Sequence, residues 1–284
     1  MRPELTIARV LAQSGLVPLD AQIILAHLLA KDRAWLVAHA DELLTREQET
    51  AFFALAKRRR DGEPVAYLTG VREFWGMALF VSPAVLIPRP ETETLVELAL
   101  SRLPLDRDLR LLDLGTGSGA IALALAHERP GARVLATDSS REALAIAAGN
   151  ARRLGITNVE FAVSDWCASL PAAWSDIAFD LIASNPPYVA ADDPHLRDGD
   201  VRCEPAAALV SGVDGLAAIR RIIAEAPAHL VPGGTLVVEH GYDQSDRVRA
   251  LFAAAGFGEI VSAKDLAGIP RVAAGRRPIS PPTA

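Results

Sequence analysis

Apolar and polar positions recur at two different periods along this chain. From about Leu5 to Arg60 the apolar residues keep helical spacing, as in Ala21-Gln22-Ile23-Ile24-Leu25-Ala26-His27-Leu28-Leu29, and no strand-like alternation interrupts them. The pattern predicts a small helical domain. Pro18-Leu19-Asp20 and Leu44-Thr45-Arg46-Glu47 read as helix starts, with Asp20 and Thr45 as the caps. Between Glu63 and Glu93, prolines at 64, 83, 88 and 90 break any helix, and Phe74 to Val81 reads as a short hairpin joining two domains. A helix through Leu95 to Leu100 follows, with Thr92 as its cap. Beyond it, short apolar runs alternate with helical stretches. Leu109–Leu114, Arg133–Thr137, Val159–Ser164, Phe179–Ala183 and Thr235–Glu239 have the texture of strands buried in an α/β sheet. Helices are expected after the first two of these strands, from Leu216 to about Leu230 and near Gln244 to Ala255, with further apolar stretches at Ile260-Val261 and Arg271-Val272-Ala273-Ala274. The predicted organisation is a helical domain over 1–72, a hairpin and linker over 73–90, and an α/β domain over 91–284.

The chemistry falls at the ends of the strands, where ligands bind in open α/β sheets. Ser184-Asn185-Pro186-Pro187-Tyr188 directly follows the Phe179–Ala183 run. Two successive prolines remove two N–H donors and fix two φ angles, leaving a rigid rim of carbonyls beside one amide side chain. The Asn185 oxygen and the Pro186 carbonyl each accept one N–H, an arrangement suited to holding the planar nitrogen of an amide or a base amine toward an electrophile. Tyr188 supplies an aromatic wall in this reading. Asn-Pro alone is ordinary turn chemistry, and the position after a buried strand is what sets this stretch apart.

Leu109–Leu114 runs into Gly115-Thr116-Gly117-Ser118-Gly119 and then the apolar helix Ala120–Ala126, a loop whose backbone a ligand can approach. Its spacing suits a dinucleotide as well as S-adenosylmethionine. Asp138 ends the second strand, placed for ribose hydroxyls, and Ser139 with Glu142 reads as a capping box for the helix that Gly155 terminates. Asp165 and Trp166 end the third strand, a carboxylate for an exocyclic amine and an indole for a ring face. Arg89, held between Pro88 and Pro90, suits a carboxylate or substrate backbone, or a structural ion pair. Asp192 to Pro205 reads as a long polar loop facing the substrate or mobile.

Charge and cysteine content narrow the class. A net charge of −6 argues against affinity built on neutralising phosphates, so no direct nucleic-acid partner is expected. The two cysteines, Cys167 and Cys203, have no paired spacing, and His27 and His39 lack metal-ligand partners in sequence, so neither a disulfide framework nor a metal is expected. Lys57-Arg58-Arg59-Arg60 suits a helix C-terminus. Met1-Arg2-Pro3-Glu4 opens no signal-peptide pattern and no run is long enough to span a bilayer, so a cytoplasmic protein without membrane partners is expected.

Together these residues resemble one family, the bacterial release factor glutamine methyltransferases. The resemblance rests on Gly62-Glu63-Pro64-Val65-Ala66-Tyr67-Leu68-Thr69-Gly70, Glu73-Phe74-Trp75, Leu86-Ile87-Pro88-Arg89-Pro90-Glu91-Thr92-Glu93 and Asp113 to Gly119. It continues with Asn185-Pro186-Pro187-Tyr188, Asp200-Val201-Arg202 and Asp265-Leu266-Ala267-Gly268. It implies a seven-stranded, Rossmann-like class I methyltransferase domain that uses S-adenosylmethionine, with an N-terminal helical domain that docks class 1 peptide chain release factors. It further implies that Gly115, Thr116, Gly117, Ser118, Gly119, Asp138, Trp166 and Asn185 line the cofactor pocket. Asn185, Pro186, Pro187 and Tyr188 would then hold the glutamine of the acceptor's Gly-Gly-Gln loop. His240, in Glu239-His240-Gly241, stands where the resemblance implies an apolar residue and is given no catalytic role. The competing readings are a glutamine methyltransferase of a ribosomal protein, a DNA adenine N6-methyltransferase, a nicotinamide oxidoreductase and a non-catalytic S-adenosylmethionine-binding module. The proline-rich 87–91 segment favours the release factor branch over the ribosomal one. The acidic chain has no evident basic target-recognition domain, which weighs against DNA.

Overall fold

Helical spacing in the first part of the chain becomes five short helices, α1 (Ile7–Gln13), α2 (Pro18–Leu29), α3 (Arg33–Ala38), α4 (Arg46–Arg60) and α5 (Val65–Thr69). The computed structural model describes residues 4–104 and 108–279. Met1 to Pro3, which carry part of the leader reading, lie outside the described residues. Apolar faces of the five helices close over Ile7, Val10, Ile24, Leu25, Leu36, Phe52 and Leu68. Thr45 caps α4 as expected, in a full capping box with Gln48. Asp20 does not cap α2, whose first helical residue is Pro18 after an uncapped Val17. A proline at that position has no N–H needing a partner, which frees Asp20 to accept from Arg59 at 2.7 Å.

The basic end of α4 is spent on ion pairs, Lys57 to Asp61, Arg58 to Glu63 and Arg59 to both Asp20 and Asp200. Asp200 lies far along the chain. The predicted polar loop therefore divides: residues through Val71 together with Arg197–Cys203 form one compact unit, and the remainder forms another. Within the first unit Arg202 donates to the Asp61 carbonyl at 3.1 Å and Cys203 to that of Gly62. The loop also contains single turns of 3-10 helix at Pro194–Arg197 and Val201–Cys203 where no periodicity is legible.

The second unit begins at Arg72, within the predicted hairpin of β1 (Val71–Phe74) and β2 (Met77–Phe80), which turns at Trp75-Gly76 with both residues at positive φ. Helix α6 (Glu93–Ser101) leads to β3 (Arg110–Leu114), α7 (Ala120–Glu128), β4 (Arg133–Asp138), α8 (Arg141–Leu154), β5 (Val159–Val163), α9 (Ala172–Ser175) and β6 (Phe179–Ser184). Then come α10 (Ala217–His229), β7 (Leu230–Glu239), α11 (Ser245–Ala254), β8 (Gly258–Lys264) and β9 (Pro270–Arg276). The strands form one seven-stranded sheet in the order β5-β4-β3-β6-β7-β9-β8. Pairing is parallel from β5 through β7, and β9 runs antiparallel to both its neighbours. Helices cover both faces, one core layer centring on α6 and α7 and the other on α10 and α11. The chain steps outward from β3 through β4 to β5, then returns to place β6 on the other side of β3. That reversal opens a crevice at the C-terminal ends of β3 and β6.

Two sequence-based caps fail here. Ser140, not Ser139, caps α8 by accepting from the Ala143 N–H, and Thr92 makes no capping bond for α6. Among the described residues no helix is long and apolar enough to cross a membrane.

Strand β9 packs its Gly275 against α11, where a side-chain carbon would lie 2.6 Å from Phe252 and 2.9 Å from Phe257. Both rings are buried. Gly275→Ala should therefore cost about 1–3 kcal/mol of unfolding free energy, as overpacking does, read as a lower urea midpoint.

Candidate active site

The crevice is a cavity of about 530 Å³ within the second unit. Its floor is the glycine loop after β3, and Asp138, Asp165, Trp166, Asn185 and Pro187 line it from the ends of neighbouring strands. This convergence follows from parallel pairing: Leu114 is in register with Thr137 on β4 and with Ser184 on β6, so whatever follows each strand meets the others.

Asp138 is the most rigidly held of these groups. One carboxylate oxygen accepts the Gly117 N–H and the other the Ser140 N–H, both at 2.9 Å, and each oxygen keeps a lone pair for a ligand hydroxyl. Asp113, one strand residue before the loop, is fully buried. It accepts from the Thr116 hydroxyl at 2.7 Å and the Ala122 N–H at 3.2 Å, which closes the loop onto the first turn of α7. Burial pushes its carboxyl up to about 7 against the pull of those two donors. Trp166 sits at φ +51° with its indole against Gly115. Asp165 lines the cavity, and Arg221 holds both its carboxylate oxygens at 2.8 and 2.9 Å.

Asn185 is the central group. Its side-chain NH2 donates to the Thr92 hydroxyl oxygen at 3.1 Å, and its own oxygen is buried with no partner among the described residues. A buried acceptor without a donor costs free energy unless a ligand supplies one.

Two of the expected residues do not line the cavity. Tyr188 is not a wall of the cavity: its ring packs in the α10–α11 core layer, and its hydroxyl donates to Glu239 at 3.1 Å. Gln244 donates to its backbone carbonyl at 2.9 Å, fixing the chain after the two prolines. Arg89 takes the structural alternative, pairing at 2.6 Å with Glu204, whose side chain is fully buried. Pro187 lines the cavity, and Pro186 is buried behind it.

Sequence reasoning missed three residues. Thr92, read as a helix cap, orients Asn185. Glu239, read as the end of a strand, receives the Tyr188 hydroxyl at 3.1 Å, its other oxygen is buried with no partner among the described residues, and burial raises its carboxyl to about 7. Asn150 clamps the hairpin to the glycine loop, exchanging hydrogen bonds with the Phe80 backbone and donating to the Ser118 carbonyl at 2.9 Å. Its only signal is a polar residue on the apolar face of α8. His240 is buried and neutral, its ring Nδ1–H on the Gly241 carbonyl at 2.8 Å; burial lowers its pKa. His39 stacks on Trp35, and among the described residues no cluster of His, Cys, Asp and Glu suits a metal ion.

Residues 6–70 match the PrmC N-terminal domain family, and residues 105–264 match a methyltransferase domain family. The release factor glutamine methyltransferase of Salmonella typhimurium is 49% identical over 257 residues, covering 90% of this chain and 91% of that protein. The protein of the same name from Xylella fastidiosa (strain Temecula1) is 53% identical over 259 residues, 91% of this chain and 93% of its own length. The solved structure of a Thermus thermophilus 16S rRNA N2 G1207 methyltransferase, in complex with AdoMet and guanosine, aligns with a TM-score of 0.54. At 20% identity, over 73% of this chain and 49% of that one, it is a likeness of fold alone.

Gly115 has φ +72°, and a side-chain carbon there would stand 3.3 Å from the Trp166 ring. Gly115→Ala should cost about 1–2 kcal/mol from the left-handed backbone alone, measured by urea denaturation followed through tryptophan emission.

Proposed function

This chain belongs to the release factor glutamine methyltransferase family, and from that premise we infer that it methylates the side-chain amide nitrogen of a release factor glutamine. The acceptor we propose is the Gly-Gly-Gln loop of class 1 release factors. The observation that carries the assignment is the Asn185 oxygen: a buried, unpartnered acceptor at the rim of the cavity. A substrate NH2 is the donor that this oxygen lacks.

The cavity suits S-adenosylmethionine, the family's methyl donor. Its volume lies in the range of roughly 300–1,000 Å³ typical of small-ligand pockets. A side chain at Gly117 would meet no atom within 4 Å, so a ligand can approach the bare backbone of the loop beside the fixed Asp138 carboxylate. Gly115 to Gly119 would hold the amino-acid end, Asp138 the ribose, and Trp166 with Asp165 the adenine. When bound, the cofactor supplies an electrophilic methyl on a sulfonium.

The chain's own contribution is placement. Asn185 accepts one N–H of the glutamine amide and the Pro186 carbonyl accepts the other, holding the nitrogen in the plane they define with its lone pair toward the methyl. The apolar side of the cavity, from Val85, Leu86, Pro88 and Ile121, keeps water away while the positive charge is lost. The nitrogen becomes acidic on alkylation and releases its proton afterwards, so no strong base is needed beside it. Tyr188 acts from behind, as a donor to Glu239.

The test is transfer of labelled methyl from S-adenosylmethionine to a purified class 1 release factor, its Gly-Gly-Ala variant, ribosomal proteins and duplex DNA. Label on the release factor alone, absent from the Gly-Gly-Ala variant, is the expected result. Label only on a ribosomal protein or DNA would replace the acceptor. Asn185→Ala should slow turnover at least about tenfold, the rate equivalent of roughly 1.4 kcal/mol of lost orientation, with its urea midpoint close to that of the parent.

A further inference from the structure

We propose that Asn150 is a positioning residue for S-adenosylmethionine, tying together two walls of the cofactor cavity, the glycine loop and the 83–88 segment. The assignment rests on the reading of the cavity given above and adds to it the group that joins its walls.

An amide side chain has two N–H donors and one carbonyl, and Asn150 uses all three. It is fully buried on α8. Its oxygen accepts the Phe80 N–H at 2.7 Å, and its nitrogen donates to the Phe80 carbonyl at 3.0 Å. A neighbouring strand would offer the same pair of bonds, and here a side chain offers it to the last residue of β2, whose sheet has only two strands. The second N–H goes to the Ser118 carbonyl at 2.9 Å, in the glycine loop. One buried amide therefore grips the backbone of both segments.

Both grips lead into the cavity. Ser118 lines it with Gly115, Thr116 and Gly117. Soon after Phe80 come Pro83, Ala84, Val85, Leu86 and Pro88, which line it from a stretch that is neither helix nor strand. Such a stretch takes its position from its ends. Asn150 holds the start at Phe80, and Arg72 donates to the Pro88 carbonyl at 3.2 Å. The glycine loop is pinned by side chains too, Asp113 on the Thr116 hydroxyl, Asp138 on the Gly117 N–H and Asn150 on the Ser118 carbonyl. Of these three, Asn150 is the one that also reaches the 83–88 wall. A loop rich in glycine has many backbone states, and a cofactor binds the fraction already in the bound arrangement. Losing the Ser118 pin lowers that fraction and weakens binding. Once the cofactor is seated, placement of the acceptor draws on Asn185 instead.

The experiment measures S-adenosylmethionine affinity by calorimetry, the urea midpoint, and kcat and KM for methylation of a release factor. It compares the parent chain with N150A, N150D and G275A. Alanine abandons all three backbone groups; aspartate keeps the size and the acceptor for the Phe80 N–H but brings no donor for the two carbonyls. G275A is the destabilised control, its strain falling on Phe252 and Phe257, neither of which lines the cavity. N150A and N150D should raise the cofactor Kd at least about tenfold, as when the competent fraction of the loop falls to about a tenth. With cofactor saturating, kcat and the KM for release factor should stay within about threefold of the parent. G275A should lose stability and keep the parent Kd. In the parent chain, the cofactor should slow hydrogen exchange at the Phe80 amide, which exchanges only when the clamp opens. A folded N150A or N150D chain with parent affinity would overturn the assignment. So would a G275A chain whose affinity falls with its stability, a loss of kcat at unchanged Kd, or a Phe80 amide indifferent to cofactor. If neither Asn150 variant folds, that exchange decides. A parent chain that binds no S-adenosylmethionine would instead remove the reading of the cavity, and one that binds it without methylating a release factor would replace the acceptor and leave the clamp standing.

Discussion

A single hydrogen bond, from the Asn185 NH2 to the Thr92 hydroxyl oxygen, gives the site its polarity. Without it the amide is a symmetric plate that can greet an incoming NH2 with the wrong end. With it, the Asn185 oxygen is left buried and unpartnered on a residue that lines the cavity, the acceptor we propose for the substrate nitrogen. The two prolines stiffen the backbone that carries Asn185, and Gln244 grips the carbonyl of Tyr188 just beyond. Tyr188 itself turns inward and donates its hydroxyl to the buried Glu239. The apolar surroundings strengthen these interactions and make their absence costly.

Asn185 stands where it does because parallel strands stop together. Matched register from β4 through β3 to β6 delivers Asp138, the glycine loop and Asn185 to one edge of the sheet, and the reversal of strand order at β3 leaves a crevice there. The glycine loop in turn is held from below by Asp113 and from the side by Asn150. The glycine loop and the Asn185 loop are thus supported by separate contacts, on β3 and α8 for one and on β6 and the turn at Thr92 for the other. Chemistry that depends on alignment more than on a strong base benefits from this division, because each partner is positioned by elements that share a core.

Much of this was legible in the chain. The change from helical spacing to short apolar runs announced a helical region followed by an α/β sheet, because buried parallel strands must be apolar on both faces. Gly115 to Gly119, Asp138, Asp165, Trp166 and Asn185 were legible as candidates from position, each at or shortly after the end of a strand. The cap positions were less secure: Asp20, Ser139 and Thr92 all carry the right side chain beside a helix start, and none makes the capping bond. Local propensity proposes a use for such a residue, and a tertiary partner overrides it when the partner offers a better bond.

The sequence by itself determined the class of fold, the strand-end placement of the candidate cofactor residues and the presence of a rigid amide-bearing turn, since these follow from periodicity and from proline and glycine chemistry within a few residues. Only the tertiary structure decided which amide end faces outward, that Tyr188 looks into the core, that Arg89 is spent on Glu204, and that Arg197 to Cys203 belongs with the helices. Each of these is a choice among partners distant in sequence, Thr92 with Asn185, Tyr188 with Glu239, Arg89 with Glu204 and Arg59 with Asp200. Hydrogen bonds and ion pairs between polar groups carry no periodic signal, and their direction is settled only when burial removes water as the competing partner.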